Sequence, residues 1–134
     1  MPGYIYRYII MEDNMARVLI VDDSKTSRKF LRNMLEGAGH EIVAEAVDGA
    51  DGVEKYLELK PDVVTMDITM PIMDGIEAVT KIMDLDREAK VIMVTAAGQK
   101  NNMVEALKKG AADFIQKPFE SNIILNTIDK VLEE

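Results

Sequence analysis

From Ala16 onward the hydrophobic pattern alternates between two periods, with five short apolar runs separated by five stretches whose apolar residues recur every three to four positions. Arg17 to Val21 is a continuous apolar run of the kind buried on both faces of a parallel sheet. Ser24 to Gly37 then repeats Phe30, Leu31, Met34, Leu35 and Ala38 at helical spacing, with Gly37 and Gly39 ending the helix. Glu41 to Ala46 reads as the second strand. Ala50 to Leu59 reads as the second helix, with Val53, Tyr56 and Leu57 on one face and a stop before Pro61. Val63 to Met66 is the third strand, followed by a loop from Ile68 to Asp74. The next helix, Gly75 to about Asp84, is expected to bury Ile76, Val79 and Met83. Val91 to Thr95 is the fourth strand, and the helix from Lys100 to Lys109 turns Met103, Ala106 and Leu107 inward before Gly110 caps it. Asp113 to Gln116 is a short fifth strand. Ser121 to Leu132 is a last helix, with Ser121 as its N-cap and Ile124, Ile128, Val131 and Leu132 facing the core.

Strict alternation of strand and helix with short connections gives βαβ units. Right-handed crossovers then produce one doubly wound parallel sheet with helices on both faces, an α/β fold. All strands end on the same edge. That edge collects Asp22, Asp23, Asp67, Thr95 and Lys117, each at or just past the end of its strand. Open α/β sheets bind their ligands there.

Three carboxylates about 5 Å apart repel by roughly 3 kcal/mol per pair at an effective dielectric near 20, so the cluster calls for a cation. Hard oxygen donors select Mg²⁺ or Ca²⁺ over zinc, and so few carboxylates favour Mg²⁺ shared with a phosphate ligand. An aspartate in such a place can attack phosphorus and become an aspartyl-phosphate. Lys117 can supply a point charge to phosphoryl oxygens and Thr95 a hydroxyl donor. Lys117-Pro118 can adopt a cis bond that aims the lysine back over the strand ends, or an ordinary trans one. Taken singly, Asp23 can be a helix cap, Asp22 a solvated turn acid, Thr95 a strand-end residue, Lys117 a surface lysine and Phe114 plain core. Other phosphate chemistries lack their residues. The chain has no Gly-x-x-x-x-Gly-Lys-Ser/Thr loop and no dinucleotide fingerprint. Thr69 stands two positions after Asp67, where a phosphatase with a nucleophilic aspartate wants an acid to protonate its leaving group.

At 134 residues the chain is expected to form one domain. The net charge of -8 argues against binding phosphate backbones or anionic lipid. Without cysteine there is no disulfide frame or thiolate metal site, which suits the cytoplasm, and no apolar run approaches a membrane span. Residues 1–14 carry three of the four tyrosines and no signal-peptide pattern. They read as an upstream translation start or a cloning remnant, with an extra strand as the alternative, ahead of a domain at 15–134. His40 has no second imidazole with which to share a metal and reads as a surface residue.

Several segments together resemble the bacterial response-regulator receiver domains, and within them the stand-alone, CheY-like chemotaxis regulators. They are Val-Leu-Ile-Val-Asp22-Asp23, Val-Thr-Met-Asp67-Ile-Thr-Met-Pro71-Ile-Met-Asp74-Gly75, Val-Thr95-Ala-Ala and Phe114-Ile-Gln-Lys117-Pro118-Phe119. The resemblance covers about Arg17 to Leu132 and implies the flavodoxin-like strand order 2-1-3-4-5, which CheY itself exemplifies. It implies that Asp67 is the phosphoacceptor and that Asp23, Asp67 and the main-chain carbonyl of Thr69 bind Mg²⁺, with Asp22 helping through water. It implies further that Lys117 contacts the phosphoryl group, that Thr95 moves to bond it and that Phe114 is the switch aromatic. Thr69 and Ala97 stand where relatives often carry acid or amide groups, so the aspartyl-phosphate lifetime stays open. The implied function is a cytoplasmic, monomeric signalling switch that takes phosphate from a histidine kinase. It is not an enzyme in its own right. With no DNA-binding module after Glu134, output is expected through protein contact with the flagellar motor switch, with a phosphatase as a further partner. A single-domain phosphorelay or sporulation-type regulator is the alternative, and a small metal-dependent phosphatase a lesser one.

Overall fold

The computed structural model describes residues 15–134, and the expectation for residues 1–14 lies outside them. Five strands and five helices alternate: β1 Arg17–Val21, α1 Lys25–Gly37, β2 Glu41–Ala46, α2 Gly49–Leu59, β3 Val63–Asp67, α3 Gly75–Leu85, β4 Val91–Thr95, α4 Lys100–Lys108, β5 Asp113–Gln116 and α5 Ser121–Glu133. The sheet is wholly parallel in the order β2-β1-β3-β4-β5. The doubly wound architecture and its order agree with the sequence reading.

Strand side chains alternate between the two faces, so each strand feeds two cores. Leu19, Val21, Val64, Met66, Val91 and Met93 pack under α2, α3 and α4 with Tyr56, Val79, Ile82 and Ala106. Val18, Ile20, Val63, Ile92 and Val94 pack on the other face against Leu31 and Leu35 of α1 and Ile124, Ile128 and Val131 of α5. Each large aliphatic side chain removed from water in this way contributes roughly 2 kcal/mol. With both faces covered, the polar ends of the strands are the part of the sheet left open to ligand.

Capping fixes where the helices begin around that edge. Ser24, Asp48 and Asp74 accept from the backbone N–H of Ser27, Asp51 and Glu77, at the starts of α1, α2 and α3. Ser121 does not cap α5 as expected. It is the first helical residue, and Glu120 precedes it without a side-chain cap. Ala38 is exposed past the end of α1, and three helical residues of the apolar repeats also lie outside the core, for Phe30, Leu57 and Leu107 are 51%, 43% and 41% exposed. Each sits on the shoulder of an apolar stripe whose centre is already filled by Leu31, Tyr56 or Ala106.

His40 is also corrected, since it is buried and its Nδ1 accepts a 3.0 Å hydrogen bond from the Ala16 backbone N–H. A backbone N–H only donates, so Nδ1 is unprotonated and the ring neutral. Burial lowers its pKa below the ordinary 6.5, and the charge of Asp129 opposes that shift. The unfolded chain therefore binds more protons below about pH 6.5 than the folded one, and stability falls as pH falls through that value. We expect urea unfolding in an Asp67→Asn background to show this acid loss between pH 7 and 5, and His40→Gln to flatten it. Truncation to His40→Ala should cost about 1–2 kcal/mol, because the Ala16 N–H loses its acceptor.

Candidate acceptor site at the carboxyl edge of the sheet

Asp22 extends β1 by one ladder bond, its N–H donating to the Ala46 carbonyl at 3.0 Å. Its side chain is buried with both oxygens bonded: Oδ1 accepts from the Ser24 N–H at 2.8 Å and Oδ2 from Lys117 Nζ at 3.3 Å. Arg28 of α1 holds the same turn by donating from Nη1 to the Asp22 carbonyl, while its Nε pairs with Glu45 of β2. Burial would raise the Glu45 carboxyl, but hydrogen bonds from Arg32 and Arg28 hold it below the usual range, so it stays a charged anchor. Asp23 is exposed, and among the described residues its carboxylate takes part in no hydrogen bond or ion pair. Ser24 does the capping, so Asp23 is free to face a ligand.

Asp67 is the last residue of β3, pairing with Val94 and nine-tenths buried. Its Oδ1 accepts from the Ile68 N–H at 3.1 Å and its Oδ2 lies 3.8 Å from Lys117 Nζ. Burial pushes its carboxyl up to about 6, with the charge of Asp22 adding to that, Lys117 opposing it and Asp23 raising it further. The sheet therefore brings together three acids whose carboxylate oxygens lie within 4.8 Å of one another, with one lysine between two of them. One positive charge against three negative ones leaves a deficit that a divalent cation would fill. All the side-chain donors are hard oxygens, which fits Mg²⁺. The Thr69 main-chain carbonyl accepts no hydrogen bond among the described residues, which leaves it available as another oxygen ligand.

The Lys117 N–H donates to the Thr95 carbonyl at 2.7 Å, which fixes the backbone past β5 where the side chain reaches the acids; the bond to Pro118 is cis. Its ammonium also lies 5.8 Å from the centre of the Phe119 ring, which stacks on Phe30 at 6.0 Å. We expect Lys117→Met to leave Asp22 and Asp67 uncompensated, raising the Asp67 titration seen by NMR above about pH 6. The phosphorylation by a small donor that the resemblance implies should slow at least roughly tenfold, the loss of one charge-assisted hydrogen bond.

Thr95 is wholly buried at the end of β4, and its hydroxyl is directed to the Ile115 carbonyl at 3.5 Å, a long bond that is cheap to give up. Phe114 points outward from β5 and is 38% exposed. The structure thus gathers Asp22, Asp23, Asp67 and Lys117 directly, holds Thr95 at the same edge facing β5, and leaves Phe114 outside. Two residues were absent from the sequence reading. Arg28 is one. Gln99 is the other, donating from Nε2 to Thr69 Oγ1 and accepting at Oε1 from the Ala96 N–H, both at 2.8 Å.

The response regulator receiver domain family matches residues 18–129. Chemotaxis protein CheY of Thermotoga maritima is 50% identical over 115 residues, 86% of this chain and 96% of the relative. Chemotaxis protein CheY of Bacillus subtilis is 49% identical over 116 residues, 87% of this chain and 97% of the relative. Among solved structures, a chain of the CheX–CheY–BeF₃–Mg²⁺ complex from Borrelia burgdorferi superposes with a TM-score of 0.82 at 41% identity, covering 86% of this chain and 87% of that one. Sequence, strand order and the acid cluster at the sheet edge all agree, and this chain belongs to the response regulator receiver domain family.

Proposed function

We propose that Asp67 accepts a phosphoryl group from a phosphohistidine of a partner kinase, and that the chain signals by protein contact, in chemotaxis. The placement of Asp67 carries this reading: a buried carboxylate 3.8 Å from Lys117 Nζ, beside two further acids at the open edge. An Asp67 oxygen attacks phosphorus, the P–N bond breaks, and its electron pair leaves with the imidazole, which takes a proton from solvent. Lys117 follows the transferring oxygens, and Thr95 exchanges its long bond to Ile115 for one to the new phosphoryl group. Asp23, Asp67 and the Thr69 carbonyl would hold Mg²⁺, with Asp22 supporting through water. Bound there, Mg²⁺ offsets charge on the transferring group. The raised pKa of Asp67 supports a metal-dependent acceptor, because cation binding and deprotonation favour one another.

Exchange of the Thr95 bond loosens β4 against β5 and lets Phe114 move inward, shifting the face of α4, β5 and α5. Taking such a switch from 1:99 to 99:1 requires about 5.5 kcal/mol of differential stabilisation. Two or three charge-assisted contacts supply that. Similarity to chemotaxis relatives supports a kinase and a phosphatase as partners, with the flagellar motor switch as the receiver of the signal. The protein acts as a cytoplasmic monomer. No helix among the described residues is long and apolar enough to cross a membrane.

Intact-mass measurement with Mg²⁺ and acetyl phosphate tests the acceptor reading, with one phosphoryl adduct expected. Absence of an adduct overturns it. Steady phosphate release from many esters would instead mark a phosphatase, and pull-down with and without beryllofluoride separates motor control from a relay.

A further inference from the structure

We infer that the side chain of Gln99 is a latch over the acceptor, holding the loop after β3 to the loop after β4 in the unphosphorylated protein and releasing when Asp67 is modified. The inference rests on the acceptor reading above. Val94 accepts from the Ile68 N–H at 3.2 Å, so its carbonyl faces β3. Two residues on, Ala96 directs its N–H to the same side, because strand backbone groups repeat every second residue. The Ile68 carbonyl, next in that ladder, accepts from Gly75 at 2.7 Å and takes no bond from Ala96. The Ala96 N–H is therefore a donor directed at the mouth of the site, beside Asp67. Gln99 Oε1 occupies it.

The other end of the amide is spent on Thr69 Oγ1, two residues after the acceptor, so one planar group spans both walls of the site. Gln99 is also the N-cap residue of α4, yet it makes no side-chain cap bond, its amide being diverted to the site. Gly98, at φ +90, provides the turn that carries it there. An anion on Asp67 would take the Ala96 N–H as a charge-assisted donor in place of the neutral amide oxygen, and is the stronger acceptor. Release of Oε1 then frees the start of α4, a nine-residue helix with Ala106 as its one fully buried side chain. Gln99 is a positioning residue. It acts through the amide it occupies and the loop it ties down.

The test uses the full chain with Mg²⁺ and acetyl phosphate, comparing wild type with Gln99→Ala and with Gln99→Met, which keeps the length without the amide. Both variants should phosphorylate about fivefold faster at subsaturating donor and bind beryllofluoride about fivefold tighter, the equivalent of one net hydrogen bond. Thr69→Val removes one anchor and should reproduce part of the effect, adding nothing to Gln99→Ala. Amide exchange at Ala96 supplies a readout that simple loss of packing does not move. The amide should be protected in wild type, unprotected in both Gln99 variants, and protected again in all three once beryllofluoride binds. A wild type that labels at the same rate as both variants overturns the latch alone. A wild type that does not label overturns the acceptor reading and the latch with it.

Discussion

Asp67→Asn is expected to gain stability while losing its chemistry. In the metal-free wild type at neutral pH, Asp67 must be ionised against burial and two neighbouring acids, and its pKa of about 6 against the ordinary 3.8 measures that cost. A shift of this size corresponds to about 3 kcal/mol as an upper bound. The asparagine amide oxygen can still accept from the Ile68 N–H, so the substitution removes the charge without orphaning a donor. We expect Asp67→Asn to unfold about 2 kcal/mol less readily than wild type at pH 7.5 without metal. The sign follows from proton binding, because between the two pKa values the folded wild type holds more protons than the unfolded chain. Wild-type stability from this group is complete at low pH and is lost as pH rises through about 6. The advantage of the variant should shrink toward pH 4. Saturating Mg²⁺ should also shrink it, since at a hundred times Kd the wild type recovers about 2.7 kcal/mol. No phosphoryl adduct should form on the variant, whose amide lacks a nucleophilic oxygen. Urea titration at two pH values, with and without Mg²⁺, checks the energetics, and intact mass checks the chemistry.

The same residues show what could be read in the sequence and what could not. Strand and helix periods were legible because two covered faces impose apolar runs on every strand, and the acids stood out because they close such runs. Convergence of Asp22, Asp23, Asp67 and Lys117 then follows from a parallel sheet, in which every strand ends on one edge. His40 was misread because its partner is a backbone N–H 24 residues earlier, and no local pattern marks an imidazole as an acceptor. Phe30, Leu57 and Leu107 were misplaced because spacing defines a stripe's centre better than its borders. Gln99 left no trace because its role depends on two loops meeting across β3 and β4, a distance of 30 residues in the chain. Arg28 was silent for a similar reason, its value lying in reaching the carbonyl of Asp22 and the carboxylate of Glu45 at once.

Gly75→Ala should be the most damaging methyl addition near the site, although helix propensity by itself predicts a gain of up to about 1 kcal/mol. Gly75 begins α3 directly against Asp67, its N–H bonded to the Ile68 carbonyl at 2.7 Å. A β-carbon there would collide with the carbonyl oxygen of Asp67 and stand 3.0 Å from both the Asp67 carbonyl carbon and Ile68 Cα. Every one of these atoms is backbone, so no rotamer relieves the clash, and either the start of α3 or the end of β3 must move. Movement of β3 displaces Asp67, and movement of α3 pulls on the loop that carries Thr69. We therefore expect a loss of about 3 kcal/mol or more together with weakened Mg²⁺ binding. Gly49 carries the same constraint from the other side, since a β-carbon there would meet the Met73 and Asp74 carbonyl oxygens. The comparison that isolates the cause is Gly37→Ala, also within a helix but with no heavy atom within 4 Å of the added carbon. It should leave Mg²⁺ affinity unchanged and match or exceed wild-type stability. Urea midpoints and Mg²⁺ titrations of the two variants side by side decide the matter. A Gly75→Ala protein as stable as wild type would mean that the tight seating of α3 against β3 does not fix the position of Asp67.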